Sequence, residues 1–315
     1  MQIKSLWIHN ARQFGTFIGL VVIILIFSFW TPYFLTVSNL LNVAQQTTIN
    51  AVIAVGMTYV IITAGIDLSV GSIMAFSGVV LASLLHADQP LVIAILGGLF
   101  VGAACGFING VLISYGKLPP FISTLGLMSV ARGAALLYTD GRPISGFDEN
   151  FRFIATGEIL HIPFPIIVII IIYLIGHFVL TRTKLGRYTY ATGGNEQAAI
   201  LSGVNVKLIK IVVYSLCGLL SGAAAVLLTA RLNSAQPIAG IMYELDAIAA
   251  VVIGGTSLMG GEGKLTGTLI GALIMGVLRN GLNLLDVSSF IQQIVIGSVI
   301  ICAVLIDMAL KKKKV

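Results

Sequence analysis

Long apolar stretches without charged residues dominate the pattern of hydrophobic and polar positions. The run from Phe14 to Ile66 and the run from Pro163 to Leu180 contain no Asp, Glu, Lys or Arg. A bilayer core requires about 20 apolar residues per helix, so the first run is long enough for two spans. A large soluble core would instead show polar and apolar helix faces in alternation, which these runs lack. The pattern predicts an integral membrane protein.

The same criterion divides the chain into ten candidate spans. The eighth is the weakest, because it is short and rich in glycine, and we expect it to be a broken or re-entrant segment. The predicted spans cover residues 15–31, 43–64, 68–86, 91–115, 120–138, 163–181, 209–229, 245–260, 265–283 and 289–309. The predicted fold class is an all-α polytopic membrane protein with one transmembrane domain over residues 1–315.

Charge supports this interpretation and predicts an orientation. The chain is 57% hydrophobic and only 10% charged, whereas soluble domains carry roughly a quarter charged residues. The net charge of +6 does not indicate nucleic-acid binding, because the basic residues lie in short loops and at the C-terminus. If the N-terminus is cytoplasmic, only three of the cations in loops lie on the outer side of the membrane: Arg142, Arg152 and Arg231. The positive-inside rule favours this orientation. Both termini and loop 182–208 are then cytoplasmic, and loop 139–162 lies outside.

Glycines at every fourth position suggest an internal repeat. The fourth span contains Gly102, Gly106 and Gly110, and the ninth, with its entry loop, contains Gly263, Gly267 and Gly271. Small residues on one helix face allow two helices to approach closely. Spans 2–5 and 7–10 could therefore be inverted copies, as in many transporters. The alternative is that glycine is simply common, with 35 in the chain.

The cytoplasmic loop between the sixth and seventh spans predicts a short, isolated helix. Asn195 can cap a helix whose first turn holds Glu196, and Gly203 can end it. A helix of about two turns is marginal alone, so packing on something else must hold it. Ala198, Ala199 and Leu201 supply helix propensity and an apolar surface, and an exposed surface lined by alanine suits docking to another protein. The alternative is a linker helix that lies on the membrane.

Four separate motifs in this order resemble the ribose-type permeases of bacterial ABC importers. The resemblance runs from about residue 34 to the C-terminus. The motifs are GIDLSVGS at 65–72, GRYTYATGGNEQAAILSGV at 186–204, YELDAIAAVVIGGTSLMGGEG at 243–263 and NGLNLL at 280–285.

This resemblance implies a permease that works as one subunit of an inner-membrane importer for a monosaccharide such as ribose. Two permease copies would form the pathway, cytoplasmic ATPase subunits would bind loop 182–208, and a periplasmic sugar-binding protein would deliver the substrate. The implied coupling residues are Gly194, Asn195, Glu196, Ala198, Ala199, Ser202 and Gly203.

The sequence agrees that energy is supplied by another subunit. A phosphate-binding loop requires G-x-x-x-x-G-K-[ST]. The nearest match, at Gly263-Lys264, has Leu258 in place of the first glycine and Leu265 in place of the hydroxyl residue. We therefore expect no cofactor in this chain, with ATP and Mg²⁺ held by the partner ATPase.

Polar groups within spans are the candidates for lining a sugar pathway, since they are costly in a membrane and often functional. Neutral amides suit a neutral polyol because they both donate and accept hydrogen bonds. The alternative for each residue is a hydrogen bond between helices. The candidates are Gln45, Gln46, Asn50, Asn109, Asn280 and Asn283.

Charged residues within the spans give less information. Arg132 has no evident partner in the sequence, and Arg279 could pair with a carbonyl group or with Asp286. Asp67 and Asp246 fall near span ends, where we expect them to cap helices rather than to relay protons.

Two other classes of function remain as alternatives to the permease. An ion-coupled secondary sugar transporter would be expected to bury a carboxylate in mid-span, and none is evident. A membrane enzyme would show a clustered catalytic constellation. The histidines His9, His86, His161 and His177 are scattered, so we predict neither a catalytic site nor a metal site.

Overall fold

The computed structural model describes residues 2–312 and the side chains of residues 15–305. The predicted cytoplasmic cations Lys4, Arg12 and Lys311–Lys314 lie outside the described side chains. The helices are α1 (Gln2–Trp30), α2 (Val37–Ile62), α3 (Val70–His86), α4 (Leu91–Ser114), α5 (Pro120–Thr139), α6 (Glu149–Thr156), α7 (Phe164–Arg182), α8 (Lys184–Gly194), α9 (Glu196–Leu201), α10 (Val206–Leu232), α11 (Tyr243–Ile253), α12 (Leu265–Leu284) and α13 (Ser289–Lys312). The strands are β1 (Ile144–Ser145), β2 (Glu158–Ile159), β3 (Ile162–Pro163) and β4 (Ser234–Ala235).

Six of the described helices are long and apolar enough to cross a membrane, judged by length and composition. These are α2, α4, α5, α7, α10 and α12, and three shorter apolar segments cover Gly15–Trp30, Val70–His86 and Ser289–Leu305. Each of the ten predicted spans coincides with a helix, although α11 has only 11 residues. The all-α membrane fold class is confirmed.

Helices α2 and α10 form the centre of the bundle. The half of α2 from Ala51 to Ile62 is buried on every face, and α10 packs along it. Gly56 allows this approach, because a Cβ atom there would lie 2.7 Å from the Cα atom of Cys217. In membranes, close packing of this kind holds helices together where water provides no hydrophobic driving force.

The glycines predicted to pack helices lie at close contacts. Gly102 and Gly106 face the backbone of α10 at Gly218 and Tyr214, and Gly110 faces Ile211. Any side chain at these three glycines would strike backbone atoms, so substitution would force α4 and α10 apart.

The second set of glycines brings α12 against α11. Gly267 faces Gly254, and Gly271 faces the carbonyl group of Ala250. The third member of this predicted set, Gly263, packs against Thr256 in the loop that joins the two helices.

Helices α3 and α11 are short because an irregular segment precedes each of them. Residues 63–69 lead into α3, and residues 236–242 lead into α11. The first turns of the two helices meet, since a Cβ atom at Gly71 would lie 2.8 Å from a carboxylate oxygen of Glu244 and would also strike the carbonyl group of Gly240. The same tripeptide, Ala-Gly-Ile, precedes both helices, at 64–66 and at 239–241.

The bundle has two distinct ends, which we call the α6 end and the α9 end. The α6 end carries α6 with both strand pairs, β1 with β4 and β2 with β3. There His86 contacts Phe147 edge-on, and Phe147 contacts Phe151 in the same way. Helix α7 connects this end to α8 and α9, which therefore lie at the opposite end.

Candidate functional site

Helix α9 is built by the local signals that the sequence predicted. Asn195 has an extended backbone, and its side chain accepts a hydrogen bond of 2.9 Å from the amide of Ala198. Gly203 follows the helix with a φ of +81°, a conformation that costs glycine little. The predicted cap at Asn195 and the predicted end at Gly203 are confirmed.

The exposed surface of α9 is more apolar than expected, and it is not made by both alanines. Ala198 is exposed, but Ala199 is only 4% exposed, so the prediction of an exposed surface is wrong at Ala199. Burial there anchors α9 on the bundle. The apolar surface comes instead from Ile200, 55% exposed, and Leu201, 89% exposed. Sequence reasoning missed Ile200, whereas it included Leu201 in the predicted apolar surface.

A salt bridge ties α9 to α10. The Nζ atom of Lys210 lies 2.8 Å from each carboxylate oxygen of Glu196. Solvent-exposed pairs contribute about 0.2–1 kcal/mol, so this one orients α9 more than it stabilises the fold. The remaining predicted coupling residues, Gly194 and Ser202, are exposed beside it.

The helix pair α8 and α9 rests on two loops of the bundle. Gly193 packs so closely on the carbonyl group of Ile62 that no side chain fits there. The amide of Gly261 donates a hydrogen bond of 2.9 Å to that same carbonyl oxygen. The hydroxyl of Tyr190 donates a 2.6 Å hydrogen bond to the carbonyl of Gly263, and burial raises the pKa of Tyr190 to about 12. A displacement of α8 must therefore act directly on the loops after α2 and α11.

Three of the six predicted pathway amides make hydrogen bonds within the bundle. Asn280 exchanges two hydrogen bonds with Asn39, of 2.9 and 3.0 Å, and is 7% exposed. The side chain of Asn283 accepts a bond of 2.7 Å from Gln292. These contacts join α12 to α2 and to α13. Asn280 and Asn283 therefore form hydrogen bonds between helices, the role that the sequence analysis gave as the alternative to lining a pathway.

The third of these amides, Asn109, belongs to a buried polar chain around the start of α3. It donates to the hydroxyl of Ser69 at 2.9 Å and accepts from Ser123 at 3.0 Å. Asp67 accepts from both the amide and the hydroxyl of Ser69, and it is fully buried. Asp67 thus organises the turn before α3, while Ser69 occupies the cap position.

The other three predicted amides lie on one stretch of α2. Gln45 lines a small cavity together with Thr48 and Arg231, and Gln46 is half-buried. The side-chain oxygen of Asn50 is buried without a hydrogen-bond partner among the described residues. The structure does not bring the six predicted amides together into one site.

The two arginines within helices make contacts that the sequence did not reveal. Arg279 pairs with Asp246 of α11, not with Asp286. The Nη1 atom of Arg132 donates to the carbonyl groups of Pro237 and Ala239, at 2.6 and 2.7 Å. Arg132 therefore binds the irregular segment 236–242, and Arg279 binds α11, so each partner is distant in sequence.

Comparison with known proteins agrees with this architecture. Residues 39–304 match the model of the family described as branched-chain amino acid transport system / permease component. The chain is 51% identical over 303 residues to the ribose import permease protein of Haemophilus influenzae, covering 95% of this chain and 94% of that protein. It is 52% identical to the Escherichia coli K12 ribose import permease, with 92% of each chain covered. It is 42% identical to the D-allose transport system permease of Escherichia coli K12, covering 95% of this chain and 93% of that protein. No solved structure matches.

Proposed function

Because the chain belongs to the family described as branched-chain amino acid transport system / permease component, we propose that it is the membrane subunit of an ATP-driven importer for ribose or a related sugar. The observation that carries the proposal is the helix α9, which exposes Ile200 and Leu201 at one end of the bundle. The identity of about half of all residues to ribose import permeases supports the choice of sugar.

In the proposed arrangement the chain crosses the inner membrane ten times, with both termini in the cytoplasm. The α9 end is then cytoplasmic and the α6 end periplasmic, in line with the distribution of Lys and Arg in the loops. Helix α11 is the short eighth crossing, completed by the re-entrant segment 236–242. Gly240 in this segment packs against Gly71 of α3, whereas Ile238 and Ile241 are exposed in the single chain; backbone at membrane depth must be covered by protein or line a cavity.

We also propose that α2–α5 and α10–α13 are inverted copies of one unit. The pairing of helices supports this: α3 contacts α4 and α5 as α11 contacts α12 and α13. In addition, α4 contacts α10 as α12 contacts α2, and α3 contacts α10 as α11 contacts α2. The shared Ala-Gly-Ile before α3 and α11 fits the same symmetry.

Three partners follow from this function. A cytoplasmic ATPase subunit would bind α9 and would hold the ATP and Mg²⁺, so this chain is not itself an enzyme. A periplasmic binding protein would deliver the sugar at the α6 end. A second copy of the chain would complete the pathway. The face of α5 that carries Gly126 and Gly133 supports such a second copy, because a Cβ atom at either glycine would meet only open space.

The contacts of α8 and α9 explain how a partner could move the bundle. The ATPase would pull on Ile200 and Leu201, and α8 would pass the movement through Gly193 to the carbonyl group of Ile62. Ile62 ends α2, and its carbonyl oxygen also binds Gly261 in the loop after α11. One displacement thereby reaches both halves of the bundle, as rocking between inward and outward access requires.

Reconstitution tests the proposal. Proteoliposomes containing the permease, its ATPase and its binding protein should take up D-ribose only when ATP is supplied on the ATPase side. Omission of the ATPase serves as the control. Uptake by the permease alone, driven by a proton or sodium gradient, would contradict the proposal and support the alternative of an ion-coupled secondary transporter.

A further inference from the structure

Two charged side chains, Arg132 and Glu244, lie where α5, the re-entrant segment 236–242 and the start of α11 meet. Arg132 is seven residues from the end of α5 at Thr139, which places it about 10 Å inside that helix. Glu244 lies in the first turn of α11, against Gly71 in the first turn of α3. Gly71 is itself about 23 Å along α3 from its other end at His86. Arg132 therefore lies inside α5 rather than at its end, and Glu244 lies far from the α6 end of the bundle, where His86 stands.

These two charges retain capacity for a further partner. The two ion pairs found among the described residues are Glu196–Lys210 and Asp246–Arg279, so Arg132 and Glu244 are not in direct contact. Both hydrogen bonds of Arg132 to carbonyl groups come from Nη1. A guanidinium has five N–H donors, and those on Nη2 and Nε make no hydrogen bond within the described part of the chain.

The charge of these side chains disfavours lipid as their neighbour. Both side chains are half-exposed in the single chain, and the adjoining segment exposes Ile238 and Ile241. A charged side chain inside the hydrocarbon is costly, so charged residues in membrane segments normally face a water-filled cavity or the interior of the protein. We therefore expect this edge of the bundle to face a water-filled pathway or a second copy of the chain rather than the acyl chains.

We propose that Arg132 and Glu244 form a contact site for the sugar within the translocation pathway, an inference that rests on the function proposed above. A carboxylate accepts hydrogen bonds from sugar hydroxyls, and a guanidinium donates to hydroxyl oxygens. Hydrogen bonds with one charged partner are about twice as strong as neutral ones. Because Arg132 also holds the re-entrant segment, the site is attached to the segment that leads into α11.

Accessibility to a water-soluble reagent tests the position of the site. Glu244→Cys and Arg132→Cys would be made in the assembled complex, with the exposed Cys302 replaced by serine. A charged methanethiosulfonate should modify both new cysteines at least tenfold faster than a control, Phe178→Cys, which stands on α7 and is 61% exposed in the single chain. D-Ribose delivered by the binding protein should slow the modification. Modification as slow as that of the control at both positions would overturn the proposal.

Uptake tests the contact itself. Glu244→Gln keeps the shape of the side chain and removes its charge, and we expect the rate of D-ribose uptake to fall roughly 10- to 100-fold. Phe178→Leu on α7, at the same exposed position as the labelling control, should leave uptake unchanged. ATPase co-purification should stay normal in both variants. Normal uptake by Glu244→Gln would refute the site, whereas lack of ATP-dependent uptake by the unaltered complex would refute the proposed function itself.

Discussion

Replacing Leu201 by serine should weaken binding of the ATPase subunit and leave the fold of the permease intact. Leu201 is 89% exposed at the end of α9, so the bundle loses almost no packing when the side chain is shortened. A partner that covers it would bury nearly the whole side chain. Full burial of a leucine contributes about 1.5–3 kcal/mol. Loss of that contribution corresponds to a rise in the Kd of roughly 10- to 150-fold.

The assay is titration of detergent-free permease, held in nanodiscs, with the purified ATPase subunit. Leu160→Ser is a matched control, because Leu160 is 87% exposed but lies at the α6 end. Thermal unfolding of both variants should agree with that of the unaltered chain, since exposed substitutions usually change stability by no more than about 0.5 kcal/mol. An unchanged Kd for Leu201→Ser, with the ATPase bound, would refute the assignment of α9 as the docking surface.

Three further predictions concern packing and topology. Gly193→Ala should destabilise the permease by about 1–3 kcal/mol, because the new methyl group meets the backbone of α2. Gly194→Ala is the control: its methyl group would meet no atom within 4 Å, so the unfolding temperature should not fall. Asn280→Leu should lower stability by about 0.6–1.7 kcal/mol through loss of the paired amides; unchanged stability would show that the pair contributes nothing. In a chain without native cysteines, Leu201→Cys should react with an impermeant thiol reagent only from the cytoplasm and Leu160→Cys only from outside, and the reverse pattern would overturn the orientation.

Local signals in the sequence were reliable wherever a short stretch determines its own structure. The run of charge-free residues predicts membrane helices because the length of an apolar stretch alone decides whether it can span a bilayer. Asn195 and Gly203 predict the bounds of α9 because capping and positive φ depend on adjacent residues. Gly102 and Gly106 predict close packing because their spacing places them on one helix face.

Predictions that required a partner distant in sequence were less successful. The sequence offered a carbonyl group or the nearby Asp286 as the partner of Arg279, whereas the structure pairs it with Asp246, which lies on the neighbouring helix. Asn280 was a candidate for the pathway, and its partner Asn39 is 241 residues away. No pattern in a single helix records which face meets which neighbour, so the roles of such amides cannot be read from composition or spacing.

The sequence by itself determined that this chain is a multi-pass helical membrane protein, and its motifs determined the family. These properties depend on hydropathy, on caps and on residues that stand together in the chain. Only the tertiary structure decided that Ala199 is buried while Leu201 is exposed, and that Arg132 and Glu244 border one edge of the bundle. Burial and proximity arise when separate helices pack, and they are properties of the assembled bundle rather than of any one segment.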